Sequence, residues 1–177
     1  QLATPGTIVH VAAGTYTGGF RTNSSGTSTA HIVYVSTTKW SARIVPSSSN
    51  QVIWDHRGNY SELIGFNVDG NGSSTALNGI YVGGSYNLVK DNHVHHLAQT
   101  AACNSNGGSA IGSDSYYYGV KNDVISNVVD HIGTSTCNFI QGIYISTSGT
   151  VKNNLAYNVG AAAIRLWHDA SRVDVIN

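Results

Sequence analysis

The chain has 177 residues, enough for one domain with a sizeable core, and its nine basic and nine acidic side chains give a formal net charge of zero. That balance gives no broad basic field for nucleic acid, and no run of about 18 apolar residues offers a membrane span. Charged residues make up 10%, against roughly 25% in an ordinary soluble protein. Gly, Ser, Thr and Asn fill the gap, Met is absent and Glu62 is the only glutamate, so strands are expected and helix is disfavoured.

Residues 7–11 (TIVHV) read as a strand, followed by a turn at Ala13-Gly14 and a second short strand. Residues 22–30 form a polar loop, 31–36 (HIVYVS) an alternating strand, 43–45 another, and 47–50 a turn. From Gln51 one sentence repeats: QVIWDHRGNYSELIGFNVDG, then NGIYVGGSYNLVKDNHVHHL from Asn78, AIGSDSYYYGVKNDVISNVVDHI from Ala110, QGIYISTSGTVKNNLAYNV from Gln141 and AIRLWHDASRVDVIN from Ala163. Each copy gives an apolar strand, a polar turn and a second strand, followed in all but the last by a further polar turn and a third strand. Aligned on Ile53, Ile80, Ile111, Ile143 and Ile164, the spacings are 27, 31, 32 and 21 residues, as for coils of one architecture with loops of unequal length.

Stacking the copies gives inward columns. The first strand supplies the five isoleucines, with Val82, Ile145 and Leu166. The second supplies Leu63, Val89, Val124, Val151 and Val175. The third supplies Val68, Val94, Val129 and Ala156, then Leu97, Ile132 and Val159. One coil cannot bury its own apolar face, so its neighbours must cover it in parallel sheets. Asn92, Asn127 and Asn154 share a turn column, where stacked amides can hydrogen-bond along the axis.

The three-strand coil, the Gly-Ile-x-apolar opening and the apolar-x-Asn-Asn turn resemble the right-handed parallel β-helix of the pectate-lyase-like superfamily. The resemblance covers nearly all of 7–177 and implies a single all-β domain over 1–177, with three short parallel sheets and about six to seven coils. It implies a carbohydrate-active protein whose partner is a polysaccharide, and the composition has an extracellular look; no acidic calcium cluster like those of the calcium-dependent lyases is visible, with Asp91, Asp123 and Asp130 on other turns and faces, so no cofactor is expected. Glycoside hydrolysis is placed slightly ahead of polysaccharide lysis. A non-catalytic glycan-binding module, or a structural or adhesive solenoid, is the alternative. Neither nucleic acid nor membrane is an expected partner. The chain opens almost on a strand and stops inside a repeat without a polar cap, so a longer solenoid is expected, or self-association through open coil ends. Asn23, Asn59 and Asn71 each begin an Asn-x-Ser triplet, an acceptor pattern for glycosylation of a secreted chain.

Cys103 lies six residues after Leu97 and Cys137 five after Ile132. Stacked coils would bring them within disulfide reach, so a Cys103–Cys137 bridge is expected.

In the superfamily the usual cleft lies on the outer face of the first strand. By alternation the outward residues here are Trp54, Tyr81, Gly112, Tyr144 and Arg165, then His56, Gly83, Asp114, Ser146 and Trp167, with Asn78 and Gln141 entering from the preceding turn. Aromatic faces stack on sugar rings, and amides and carboxylates bind hydroxyls. Trp54, His56, Asn78, Tyr81, Gln141 and Trp167 are therefore the expected substrate-binding residues. The catalytic candidates are Asp114, Tyr144, Arg165, His168 and Asp169. Asp114 and Asp169 would be an acid/base pair for hydrolysis. In elimination Tyr144 or His168 would take the proton α to a uronate carboxyl that Arg165 neutralises. The segment 53–56 (IWDH) is similar to a pectate-lyase signature, but its adjacent Trp and Asp shift the parity, and the polygalacturonase motifs are absent. His93, His95, His96 and His131 would stack with Asp130 on the third strand. A solvated polar face is the plainer reading of them, and no metal is expected.

Overall fold

The computed structural model describes residues 3–177, so the first two positions of the expected domain lie outside it. Its strands come in threes. β1 (Ile8–Val11), β2 (Gly14–Thr17) and β3 (Phe20–Thr22) make a coil, followed by β4 (Ile32–Ser36), β5 (Ala42–Val45) and β6 (Val52–His56). β7 (Ser61–Ile64), β8 (Asn67–Asp69) and β9 (Asn78–Val82) make the third coil. β10 (Leu88–Lys90), β11 (His93–Leu97) and β12 (Gly108–Ser113) make the fourth. β13 (Asp123–Ile125), β14 (Val128–Ile132) and β15 (Ile140–Ile145) precede β16 (Gly149–Lys152), β17 (Leu155–Val159) and β18 (Ile164–Leu166), and β19 (Val173–Ile176) opens a seventh coil. Every third strand pairs in parallel, giving sheet one (β1-β4-β7-β10-β13-β16-β19), sheet two (β2-β5-β8-β11-β14-β17) and sheet three (β3-β6-β9-β12-β15-β18). The chain is a right-handed parallel β-helix. Regular coils begin at Ile8, well before the repeat is legible in the sequence.

The inward columns pair as the repeat implies: Leu63 with Val89, Val124 and Val151 in sheet one, Val68 with Val94 and Val129 in sheet two, and Ile80 with Ile111 and Ile143 in sheet three. All of these are 0 or 1% exposed. The Asn column is a hydrogen-bonded ladder. Oδ1 of Asn92, Asn127 and Asn154 accepts the backbone N–H of Phe66, Asn92 and Asn127 at 2.9, 3.0 and 2.9 Å. Those polar turns are thereby satisfied without water.

The coil holding β6 departs from the expectation. Its register pairs Trp54 with Ile80, Asp55 with Tyr81 and His56 with Val82, one residue away from an Ile53–Ile80 alignment. Ile53 occupies the slot of Gly79. Trp54 and His56 therefore face inward, 2% and 0% exposed, and neither can bind substrate. Trp54 packs against Phe20, Tyr34 and Phe66 with ring centroids 4.9 to 5.7 Å apart. Its Nε1–H donates to Thr22 Oγ1 at 2.9 Å, and that oxygen lies 2.7 Å from His56 Nδ1. A one-residue slip exchanges the faces of a whole strand.

Candidate functional site

Outward residues of sheet three stack in register: Tyr81 beside Gly112, Gly112 beside Tyr144, and Tyr144 beside Arg165. They line a cavity of about 470 Å³. Asn78, Tyr81, Asp114, Gln141, Tyr144, Arg165, Trp167 and His168 all reach it, so eight residues expected from the sequence meet in one place. Gly112 is part of its floor, where a Cβ would come within 2.8 Å of Ser109 Oγ.

The walls are loops. Ser105, Asn106 and Gly107 follow β11, and Asn138 and Phe139 precede β15. None of these was expected. Loop residues carry no periodic signal, and the clue available was their position just after Cys103 and Cys137. Those cysteines are bonded, with Cα atoms 5.4 Å apart, so the bridge ties the two stacked loops to each other.

Asp114 caps a short 3₁₀ turn (Ser115–Tyr117). Its Oδ1 accepts from the Tyr116 N–H at 3.0 Å and from Ser146 Oγ at 3.1 Å. Burial first, and then the Asp114 carboxylate, push the Tyr81 hydroxyl well above its ordinary value, and the same two causes raise Tyr144. Both phenols therefore hold their protons at neutral pH. Tyr144 Oη lies 2.5 Å from His168 Nδ1, and the Arg165 guanidinium stands 4.8 Å from the centre of the Trp167 ring. Gln141 is buried with both ends in use. It donates to the Asn138 carbonyl at 2.9 Å and accepts from the Ala162 N–H at 3.1 Å, so it sets the wall in place.

Asp169 is outside the cavity lining. Its Oδ2 accepts from Ser115 Oγ at 2.8 Å, which turns it toward the 3₁₀ turn. Among the described residues Asp114 is the one carboxylate lining the cavity. A second cavity of about 420 Å³ lies toward the N-terminal coils, lined by Arg21, Arg57, Asn59, Tyr117 and Tyr118 with neighbouring glycines. Arg57 stacks between Tyr81 and Tyr117, 4.7 and 3.4 Å from their ring centres, and Asp55 binds both Arg57 and Arg21. Among the described residues, the one group of three possible metal ligands stands on sheet two, away from both cavities.

No protein-family model matches the chain, and no curated protein matches it. Among solved structures it is similar to pectate lyase Pel9A, with a TM-score of 0.65 and 16% identity over 89% of this chain and 47% of that one. It is also similar to the A-module of the Azotobacter vinelandii mannuronan C-5 epimerase AlgE4, with a TM-score of 0.50 and 17% identity over 93% of this chain and 49% of that one. The chain spans about half the length of each. At such identities the likeness establishes the parallel β-helix and carries no residue role.

Proposed function

We propose that the cavity over Gly112 binds a polysaccharide and cleaves it by β-elimination next to a uronate. The observation that carries this reading is the Tyr144–His168 contact beside Arg165, in a cavity that holds one carboxylate. Hydrolysis in its usual form needs two carboxyl groups flanking the bond. Asp169, the expected partner of Asp114, is engaged by Ser115 instead, which moves the preference from hydrolysis to elimination.

The step runs as follows. Arg165 pairs with the uronate carboxylate and makes the α-proton more acidic. With the proton of the His168 ring on Nδ1 and shared with Tyr144 Oη, Nε2 carries the lone pair that takes the C5 proton. The C5–H electron pair becomes the C4=C5 double bond, and the C4–O bond breaks. The departing oxygen takes the phenolic proton of Tyr144, which its raised titration point keeps in place at neutral pH. Tyr81, Phe139 and Trp167 offer aromatic faces for sugar rings. Both solved relatives in fold are named for enzymes of uronate polymers, which agrees with this substrate class.

The test is incubation with neutral and uronic-acid polysaccharides, read by new reducing ends and by the ultraviolet absorbance of an unsaturated uronate. Both signals should appear together on a uronate polymer, and His168→Ala and Tyr144→Phe should each lower the rate by about 100-fold or more. Reducing ends without the absorbance would mean hydrolysis and return Asp114 to the central role. Binding without turnover would make the chain a glycan-binding module.

A further inference from the structure

The outer face of sheet two carries a cluster of side chains that the cleft does not use. Asp69, His95 and Asp130 stand side by side on β8, β11 and β14, in register and facing out, because Val68, Val94 and Val129 before them face in. His96 and His131 follow with left-handed backbone (φ 50° and 53°), which folds each ring back over the residue before it. The two rings stack 4.8 Å apart and 8° from parallel. In the later coil this turn sets His131 Nδ1 2.5 Å from Asp130 Oδ1, a short contact between an imidazole nitrogen and a carboxylate. In the earlier coil the carboxylate is replaced by a second imidazole. His96 Nδ1 lies 2.6 Å from His95 Nδ1, two nitrogens facing each other.

The surroundings hold these donors in place. Asn67 Oδ1 accepts from His95 Nε2 at 2.7 Å, which leaves the lone pair of the neutral ring on Nδ1, toward His96. Asp69 Oδ1 is 3.7 Å from that same nitrogen. Arg43 holds Asp69 Oδ2 at 2.6 and 3.0 Å, and the Asn71 N–H donates to Oδ1 at 2.8 Å. Ligand atoms of Asp69, His95 and His96 lie within 4.8 Å of one another. A histidine oriented through its other ring nitrogen, beside a carboxylate that is itself hydrogen-bonded, is the arrangement that positions metal ligands. With neutral imidazoles, Asp69 and Asp130 against Arg43 leave one net negative charge around the three donors.

We propose that Asp69, His95 and His96 bind a divalent transition-metal ion, with the remaining coordination positions open to solvent. Two imidazoles and one carboxylate suit zinc, cobalt, nickel or copper, and lack the oxygen donors that calcium or magnesium requires. Metal–nitrogen bonds of about 2.0–2.1 Å need the two Nδ1 atoms roughly 3.0–3.4 Å apart, so the pair must open slightly. His96 is exposed and can turn to do so. The ion would clamp β8 to β11, in place of the direct contact between the two imidazoles. This proposal departs from the expectation, drawn from the sequence, that no metal is bound.

The experiment is a titration of the chelator-stripped full chain with Zn²⁺, read by calorimetry and by thermal unfolding. One ion per chain should bind with a micromolar dissociation constant, and the melting temperature should rise with its concentration. His96→Asn keeps a residue that tolerates the left-handed backbone and removes the ring, and should weaken binding by at least about tenfold. His10→Ala, on an exposed strand of sheet one, should leave binding unchanged. No saturable binding below about 1 mM, or an unaltered affinity in His96→Asn, would overturn the proposal. Should that variant fail to fold, the Co²⁺-loaded native chain still decides. Visible bands displaced from those of the hydrated ion support the site, and a spectrum identical to free aqueous Co²⁺ overturns it.

Discussion

His56 sits in the core with 0% exposure, and its Nε2 has no hydrogen-bond partner among the described residues. Burial pulls the imidazole down from 6.5 to about 4. Between those two values the unfolded chain takes up a proton that the folded chain refuses. Stability is therefore fully present above about pH 6.5 and falls as pH drops toward 4, by up to roughly 3 kcal/mol. Thermal unfolding at pH 7.5 and at pH 5 should show that fall, and in His56→Gln the difference between the two pH values should shrink. An unchanged difference would mean that other groups set the acid limb. The same residue marks where sequence reading stopped. Gly79 and Gly142 each precede the inward isoleucine in their coils, and the small residue announces the slot. In β6 that slot holds Ile53, an apolar residue where the others have almost no side chain, so an alignment on the first apolar residue slips by one and turns Trp54 and His56 outward. The columns without such a substitution were legible, because a β-branched residue recurring at one coil position has few places to go but inward.

Among the elements, the strands of sheet three set the floor of the cleft and the loops between coils set its walls. Periodicity reveals the first and hides the second, which is why Tyr81, Tyr144 and Arg165 could be named from the sequence while Asn106 and Phe139 could not. The Cys103–Cys137 bridge joins two of these loops, closing a 34-residue separation across adjacent coils. Replacing both cysteines with serine should lower stability by about 2–4 kcal/mol, chiefly by freeing the unfolded chain. It should also raise KM more than it lowers kcat, since the wall residues that follow each cysteine lose their anchor while Tyr144 and His168 keep theirs on the solenoid. A fall in kcat alone, with KM constant, would place the bridge's influence on the chemistry and not on the wall. Stability in denaturant and Michaelis constants on one uronate polymer would read both effects.

At the scale of the whole molecule, a solenoid repeats its outer face every coil, about 4.8 Å along the axis, so a binding surface on it is a strip and not a point. The two cavities lie on one such strip. The Tyr144 cavity occupies the later coils, and the cavity lined by Arg21 and Arg57 occupies the earlier ones. Between them Asp55 neutralises one of the two arginines, which leaves a modest positive surplus on that stretch although the chain as a whole is neutral. If the cleft takes a uronate polymer, the polymer should run along the strip and meet the arginines several sugars away from the bond that breaks. Remote contacts of this kind act only on substrates long enough to reach them. KM should therefore fall as oligosaccharides lengthen, until both cavities are filled. Arg21→Ala, at an exposed side chain, should remove most of that gain on long chains, with the shortest cleaved oligosaccharide as the internal reference. Added salt should weaken long substrates more than short ones, because an exposed guanidinium is screened by electrolyte. A KM independent of chain length would confine binding to the cavity over Gly112 and leave Arg21 and Arg57 as partners of Asp55 alone.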